Sequence, residues 1–325
     1  MMMKNPISGS GLMTTYVCSA ACRHCMYCSS PHIKKEFLTE DAARRIAGAL
    51  RRSGTRSLHI GGGEPFLNFD SLKIAISALR EHGVSIDYIE TNASWCTSDE
   101  VIRERLSELG KLGAPCVMAS VDPFHIEFVP LEKPLRLIEA LRRSGFDYFI
   151  WQERFLPRLM PLDRTRAHSH EALKAALGDH YVEETAREYG LGINGRALQI
   201  APRLYPSRPA ESWLTSKPCN LLSPRHCHVD LYEHVLPGGC PGIAIESEDF
   251  LSGQVPEEKY PVASRLMRGG INALYTYARE AGFEPSSAGY PTACALCFAM
   301  RGFLRAARPS PDIGPACFYA AMGEA

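Results

Sequence analysis

The stretch that decides the fold is Cys18-Ser19-Ala20-Ala21-Cys22-Arg23-His24-Cys25, which places three cysteines within eight residues. It directly follows Thr14–Val17, a run of β-branched and aromatic residues that predicts a short buried strand. The cysteines would then lie in the loop at the C-terminal end of that strand. Three thiolates at this spacing can hold one face of an iron–sulfur cubane and leave its fourth iron open for a substrate.

Zinc is the alternative for the same stretch, because Cys28 and His24 could complete a set of four ligands. Disulfide bonds fit it less well, since such close spacing strains most pairings. The spacing by itself leaves the cubane and the zinc knuckle open.

The composition is that of an ordinary globular protein, since the 325 residues are 45% hydrophobic and 22% charged. The 36 basic residues balance the 36 acidic ones, so the formal net charge is zero. A protein that binds nucleic acid through many phosphates usually carries a basic excess. A nucleic-acid partner is therefore not expected.

Twelve cysteines are an unusual number for this composition. Residues 1–15 lack the apolar segment of a secretory signal peptide, and no apolar run is long enough to cross a membrane. We therefore expect a cytoplasmic protein with reduced cysteines and no membrane partner. Clusters of cysteine in such a protein usually bind metal or serve catalysis.

Short apolar runs alternate with amphipathic helix patterns from residue 13 to about residue 201. The runs predict six strands, at Thr14–Val17, Ser57–Ile60, Ile86–Glu90, Val117–Val121, Tyr148–Trp151 and Ala197–Ile200. The helix patterns cover Thr39–Arg52, Asp70–His82, Asp99–Leu112, Leu135–Ser144 and Ser169–Gly190, the last broken near Gly178. This order predicts an α/β fold with a parallel sheet, and six βα units form a partial barrel with functional residues at the C-terminal strand ends.

A second motif, Gly62-Gly63-Glu64-Pro65, follows the second predicted strand. Glycines let backbone carbonyls approach a ligand closely, and Glu64 could accept hydrogen bonds from an ammonium group. With Cys18, Cys22 and Cys25 on the preceding strand, the sequence resembles the radical S-adenosylmethionine (SAM) superfamily. The resemblance implies a partial (β/α)6 radical SAM barrel, a [4Fe–4S] cluster on the three cysteines, and SAM bound to its open iron, with its amino group at the glycine motif.

Weaker matches to the superfamily pattern lie at later strand ends. Asn92 ends the third predicted strand, and Ser120 and Asp122 end the fourth, where relatives commonly contact the ribose of SAM. His24 stands where relatives often have an aromatic residue, and it could stack on adenine. Each of the residues at the strand ends could instead be a helix cap or turn residue.

The rhythm changes after Pro202, where prolines interrupt the chain and cysteines return. We expect a barrel over residues 1–210 and a small domain over residues 211–325 that needs a metal to hold it together. Cys227 and Cys240 bracket a predicted hairpin at His228–Gly239, with Pro237–Gly239 as its turn. Cys294 and Cys297 supply a second pair, and two such pairs are a strong metal signal for either zinc or an iron–sulfur cluster.

This C-terminal pattern resembles the Twitch domain of radical SAM enzymes, a shortened SPASM domain. The resemblance implies a second, auxiliary [4Fe–4S] cluster on Cys227, Cys240, Cys294 and Cys297. Cys219 could replace Cys227 as a ligand. Cys28 is expected beside the first cluster, and Cys317 is expected to be an ordinary buried cysteine.

The superfamily reaction is reductive cleavage of SAM to a 5′-deoxyadenosyl radical that abstracts hydrogen from a C–H bond. The resemblance implies an electron donor such as flavodoxin or ferredoxin, and the auxiliary cluster favours an oxidative outcome, a crosslink or a dehydrogenation. We expect a peptide or protein substrate, with radical dehydrogenation of an alcohol or sugar as the alternative. A zinc-stabilised binding module is the alternative from another class, and a glycyl-radical activase is disfavoured because no cysteine falls between Cys28 and Cys96.

Overall fold

The central feature of the computed structural model, which describes residues 7–221, 223 and 225–323, is a sheet of eight strands. In chain order the strands are β1 (Gly11–Met13), β2 (Ser57–Gly61), β3 (Ser85–Thr91), β4 (Cys116–Ser120), β5 (Asp147–Trp151), β6 (His228–Val229), β7 (His234–Leu236) and β8 (Ile245–Glu246). Their order across the sheet is β5-β4-β3-β2-β1-β6-β7-β8. Strands β1 to β5 are parallel, β6 pairs in parallel with the other edge of β1, and β7 and β8 continue the sheet antiparallel.

The α-helices lie between and after these strands. They are α1 (Glu40–Ser53), α2 (Phe69–Glu81), α3 (Asp99–Lys111), α4 (Pro123–Ile126), α5 (Glu132–Ser144), α6 (Leu156–Leu159), α7 (His170–Leu177), α8 (Tyr181–Tyr189), α9 (Ala201–Leu204), α10 (Ser247–Ser252), α11 (Pro261–Glu280), α12 (Ala293–Ala307) and α13 (Ala316–Gly323). Within the described ranges, none of them is both long enough and apolar enough to span a membrane.

Local sequence signals explain where the helices begin and end. The side chain of Thr39 accepts a hydrogen bond from Ala42 N at the start of α1, and Gly54 ends that helix in a left-handed conformation with φ of 94°. The long pattern predicted over residues 169–190 is two helices, α7 and α8, separated at Gly178. The amphipathic patterns therefore predicted these helices to within a few residues.

The two faces of the parallel strands have different roles because side chains alternate along a strand. Leu58, Ile60 and Val117 face the helices and are fully buried in the core. His59 and Met118 point the other way and line a cavity inside the curved sheet. The hydrophobic core therefore lies between the sheet and the helices, and His59 lies on the opposite face of the sheet, in the cavity.

The predicted α/β class with a cysteine-rich C-terminal region is confirmed, but three local predictions are wrong. The first strand is Gly11–Met13 and not Thr14–Val17, a stretch in which only Thr15 and Val17 form isolated β-bridges. Residues Ala197–Ile200, predicted as the sixth strand, lie in and just after a 3-10 helix at Gly195–Gln199. Five strands therefore precede the C-terminal region, and the sixth parallel strand is β6 on the far side of β1. The C-terminal hairpin exists, but it turns at residues 230–233, and Pro237–Gly239 forms a 3-10 helix after its second strand.

The sheet runs across the predicted domain boundary at residues 210 and 211. Because β6 pairs with β1, the strands of the C-terminal region extend the sheet of the barrel. The assignment of residues 1–210 and 211–325 to two domains stays a prediction.

Candidate functional site

A cavity of about 790 Å³ lies inside the curved sheet. Its size is within the range of small-molecule and cofactor sites. Among its lining residues are Cys18, Cys22 and Cys25 from the loop after β1, and Gly62 and Gly63 from the loop after β2. The structure thus brings together the two motifs that the sequence analysis singled out.

The three cysteine thiols at this cavity are buried or half-buried. Burial raises the pKa of Cys18 and of Cys22, so these thiols need a nearby cation to ionise. Cys18 Sγ also accepts hydrogen bonds from Ala20 N and from Asn92 Nδ2, both at 3.4 Å. Such donors suit a sulfur that carries negative charge when it binds iron.

The distances between the thiol sulfurs can be compared with those needed by zinc and by an iron–sulfur cubane. In the described part of the chain, the one group of three or more His, Cys, Asp or Glu whose ligand atoms all lie within 4.8 Å of one another is His24, Asp122 and His125. Tetrahedral zinc places its sulfur ligands about 2.3 Å from the metal and so about 3.8 Å from one another. No three of the described cysteines meet this 4.8 Å limit, a spacing that suits thiolates bound to separate iron atoms of a cubane.

A buried arginine holds the cysteine loop in place. Arg196 donates from Nη1 to Cys22 O at 2.9 Å, and from Nη2 to Cys28 O at 2.7 Å and Ser29 O at 3.0 Å. Its backbone N–H donates to Cys25 O at 3.0 Å. Arg196 belongs to the 3-10 helix that the sequence analysis took for a strand, so no sequence signal pointed to this role.

Replacing Arg196 by methionine should destabilise this loop. The change keeps the length of the side chain but leaves three carbonyl oxygens without their donors, which we expect to lower the free energy of unfolding by about 1–3 kcal/mol. Chemical denaturation measures this, and iron analysis after reconstitution should show reduced iron content. Arg203→Met is the matched control, because Arg203 is half-exposed and its nearest carboxylate, on Glu183, is 4.0 Å away. An equal effect of the two substitutions would contradict the role of Arg196.

The loop after β2 packs directly on the loop after β1. Gly63 N donates to Thr15 O at 2.7 Å, and Glu64 N donates to Val17 O at 2.9 Å. A Cβ at Gly63 would lie 2.0 Å from Val17 O, and one at Gly62 would lie 2.6 Å from Thr15 O. Both glycines are therefore needed for the close approach of the two motif loops.

A Gly63→Ala substitution should force these two loops apart. We expect the free energy of unfolding to fall by about 1–3 kcal/mol, the usual cost of overpacking, and reconstitution to yield less cluster. Gly302→Ala is the control, because Gly302 lies inside α12 with open space at its Cβ position. That control should gain about 0.5–1 kcal/mol of stability. Comparing the two unfolding curves tests the prediction, which fails if Gly63→Ala is as stable as wild type.

Glu64 lies behind the cavity wall. It is fully buried, and its carboxylate accepts from Phe66 N, from Thr91 Oγ1 and from Asn92 N at 2.7 to 3.1 Å. Burial raises its pKa to about 7 against these three hydrogen bonds. Glu64 therefore ties the end of β2 to the end of β3, and its predicted contact with the amino group of SAM stays a prediction. Pro65 is buried at the start of a 3-10 helix.

The weaker candidates divide between the cavity and the interior. Asn92, Ser120 and His24 line the cavity. Asp122 is fully buried and caps α4, accepting from Phe124 N at 2.8 Å. Its role as a helix cap is the alternative that the sequence left open, and its contact with the ribose of SAM stays a prediction.

His125 connects Asp122 to the cysteine loop. Its Nδ1 lies 2.8 Å from Asp122 Oδ2, and its ring also interacts with the Cys22 thiol. Burial opposes the charged form of His125, but Asp122 and Cys22 outweigh it and raise its pKa. Burial lowers the pKa of the neighbouring His24 to about 4, so His24 is neutral and can present a flat ring to the cavity.

The C-terminal cysteines form a second group that includes Cys219. Burial raises the pKa of Cys297 to about 12, and the thiols of Cys240, Cys294 and Cys219 act in the same direction. The same neighbours recur at Cys219, whose pKa is raised by burial and then by Cys240 and Cys294. These four thiols therefore share one environment.

Cys227 stands apart from this group. It is fully buried, its Sγ donates to Ser223 O at 3.0 Å, and the groups that act on its pKa are burial and the backbone N–H of Gly238. Cys219, the alternative ligand in the sequence analysis, therefore lies with Cys240, Cys294 and Cys297, and the ligand set of an auxiliary cluster stays a prediction.

A buried cation that the sequence analysis missed completes the second group. Arg301 on α12 donates to Pro241 O at 2.8 Å and also interacts with the Cys297 thiol. Its guanidinium can offset negative charge on thiolates bound to iron. Its spacing from Cys297, one helical turn, was the signal available in the sequence.

Comparison with known proteins finds a family model that matches the part of the chain with both motifs. Residues 12–152 match the family model of the radical SAM superfamily. The chain is 25% identical over 130 residues to the putative peptide biosynthesis protein YydG of Bacillus subtilis, covering 39% of each protein. It is 32% identical over 114 residues to the GTP 3′,8-cyclase of Mannheimia succiniciproducens, covering 34% of this chain and 33% of the cyclase. The matched part therefore spans well under half the length of these relatives.

Solved structures of similar arrangement include native anSMEcpe with bound S-adenosylmethionine. That likeness covers 96% of this chain and 98% of the other at 13% identity and a TM-score of 0.44. The Streptococcus suis protein SuiB bound to S-adenosylmethionine is similar over 90% of this chain and 77% of its own, at 13% identity and a TM-score of 0.38.

Proposed function

From its radical SAM domain at residues 12–152, we propose that this chain cleaves SAM reductively and uses the resulting radical for oxidative modification of a peptide or protein. The observation that carries the proposal is the meeting of Cys18, Cys22 and Cys25 with Gly62 and Gly63 at one cavity. A [4Fe–4S] cluster bound there would supply an electron to SAM and so generate the 5′-deoxyadenosyl radical.

In this proposal the residues of the chain bind the cluster, orient SAM beside it and shield the radical from water. The three thiolates would hold the cluster, while Arg196 fixes the backbone of their loop. Gly62 and Gly63 bring their loop against the cysteine loop and line the cavity where the amino acid end of SAM would bind, and the neutral ring of His24 can stack on adenine. The walls of the cavity limit access of water to the radical.

An auxiliary [4Fe–4S] cluster is the second part of the proposal. Its ligands would be Cys219, Cys240, Cys294 and Cys297, because these four thiols share one environment with Arg301 beside them. Such a cluster can accept one electron from the substrate radical left by hydrogen abstraction, which favours a dehydrogenation or a crosslink. Both clusters need reduced thiols, which fits a cytoplasmic protein served by a flavodoxin or ferredoxin.

A peptide substrate is favoured by the open side of the barrel. Strand β5 is an edge of the sheet, and its Phe149 and Trp151 are 37% and 42% exposed. Large exposed rings at a cavity mouth are typical of a binding surface. The relative YydG carries a name that refers to peptide biosynthesis.

The test is anaerobic reconstitution with iron and sulfide, followed by reduction with dithionite in the presence of SAM. We expect 5′-deoxyadenosine by mass spectrometry and about eight irons per chain, the content of two cubanes. A protein that binds zinc, contains no iron and forms no 5′-deoxyadenosine would contradict the proposal. About four irons would remove the auxiliary cluster from it.

A further inference from the structure

The inner wall of the cavity carries a group of polar side chains that neither motif includes. His59 on β2 has its Nε2 3.0 Å from His228 Nε2 on β6 and 3.3 Å from Glu90 Oε1 on β3. The Tyr88 ring stacks on the His59 ring, with centroids 4.8 Å apart. All four residues line the cavity. We call them the inner-wall group.

Space for the two imidazoles is built into the sheet. A Cβ at Gly11 on β1 would lie 2.3 Å from His59 Nε2 and 2.8 Å from His228 Cδ2. Only glycine at this position of β1 lets both rings lie against the strand. The inner-wall group is therefore a feature of the fold and not a chance contact of flexible side chains.

Glu90 is the carboxylate of this group. Of the described residues that line the cavity, it is the only Asp or Glu, and 32% of its side chain is exposed there. Burial raises its pKa to about 7, which is the response of a carboxylate that has no strong cationic partner.

The surrounding side chains do not neutralise Glu90. Burial lowers the pKa of His59 to about 4 and that of His228 as well, so both rings are neutral. His226 and His125 act on Glu90 electrostatically from further along the cavity. Arg154 also lines the cavity, but its Nη1 donates to Glu188 O at 3.0 Å. A positive charge supplied by a ligand would therefore meet a carboxylate whose nearest side-chain neighbour, His59, is neutral.

Aromatic rings that line the same cavity as Glu90 also favour a cationic ligand. Tyr88 and Trp151 line the cavity, and Phe149 packs edge-on against Tyr88 at 5.1 Å. The face of an aromatic ring attracts cations, and the attraction is stronger where water is excluded. A carboxylate beside such rings is the usual arrangement for binding an organic cation.

The geometry points to a cation-binding subsite in which Glu90, in a cavity also lined by the rings of Tyr88 and Trp151, binds a protonated amine or guanidinium group of the substrate. His59 Nε2 lies 3.3 Å from Glu90 Oε1, so the neutral imidazole flanks the carboxylate on the inner wall. This inference rests on the proposed function and specifies its substrate, which would present a positively charged side chain to the barrel close to the modified position.

Binding of simple probes to the reconstituted protein with SAM tests this subsite. The probes are n-pentylammonium chloride and the neutral 1-pentanol, titrated anaerobically in a calorimeter. Wild type should bind the ammonium at least about tenfold more tightly, because a hydrogen bond to a charged group is worth more than a neutral one. Glu90→Gln should remove this preference, and Glu104→Gln, which alters an exposed carboxylate on α3, should retain it.

The outcomes separate this inference from the proposed function. Formation of 5′-deoxyadenosine by wild type tests the radical chemistry independently of the probes. Equal binding of the two probes to wild type, or an ammonium preference that survives in Glu90→Gln, overturns the subsite. A Glu90→Gln variant that loses affinity for SAM while keeping its affinity for pentylammonium also overturns it, since Glu90 would then bind the amino group of SAM.

A variant with a shorter side chain covers the case in which Glu90→Gln fails to fold. Glu90→Asp keeps the charge, so it should still prefer pentylammonium over 1-pentanol. Loss of the preference in a folded Glu90→Asp protein, as judged by its melting curve, would count against the subsite.

Discussion

Replacing Cys18, Cys22 and Cys25 together by alanine is expected to reduce 5′-deoxyadenosine formation to the background level. The three thiols line the same cavity as Gly62 and Gly63, so the substitution removes the proposed ligands of the cluster that would reduce SAM. The triple variant should also lose about four irons per chain. Mass spectrometry of the nucleoside and iron analysis measure the two effects.

The control for this prediction is Cys116→Ala. Cys116 is a half-buried residue on β4 and belongs to neither cysteine group. It should keep both the iron content and the activity of wild type. A triple variant that still produced 5′-deoxyadenosine would show that the open cluster lies elsewhere.

Cys219→Ala and Cys227→Ala are expected to differ sharply in their effect on the second cluster. Cys219 shares its environment with Cys240 and Cys294, so its loss should remove about four irons per chain. Cys227 gives its hydrogen bond to Ser223 O, so its replacement should leave the iron content unchanged. Its effect should be on stability, because a buried side chain is truncated.

Spectroscopy of the two variants adds a readout that stability does not affect. Cys219→Ala should lose the signal of one reduced cluster in electron paramagnetic resonance, while the signal of the cluster with bound SAM remains. The reverse pattern, with iron lost from Cys227→Ala and retained in Cys219→Ala, would restore the ligand set that sequence spacing suggested.

Features encoded locally were the ones that could be predicted from sequence. Thr39 and Gly54 mark the ends of α1 because capping depends on a few neighbouring residues. The loop Cys18–Cys25 could be located from the spacing of its cysteines, although β1 ends at Met13 and not directly before Cys18. Each of these features depends on a few neighbouring residues, so it can be predicted from the sequence alone.

Local patterns failed where the partners are distant in sequence. Ala197 and Ile200 are both buried, and a spacing of three residues suits one face of a helix as well as a short strand. The hairpin turn at residues 230–233 contains no glycine or proline. It is stabilised by Asp230, which accepts from Tyr232 N and His234 N at 3.0 Å and from Tyr16 OH at 2.9 Å.

In the candidate site, too, the features that depend on residues distant in sequence could not be predicted. Cys219 and Cys227 are equally plausible ligands in the sequence, and only the packing around Cys240 separates them. The inner-wall group joins His59, Glu90 and His228 from three separate strands. No motif could predict it, because Gly11 makes the space for it from a fourth strand.

The pairing of β1 with β6 has a consequence for the synthesis of the protein. Cys227 N donates to Ser10 Oγ across 217 residues of sequence. At about 5–20 residues per second on the ribosome, the edge of β1 waits on the order of 10–40 s for β6 to emerge. During that interval β1 presents an unpaired edge of the kind that joins other chains. The pairing that covers this edge of β1 cannot form until β6, in the last third of the chain, has been translated.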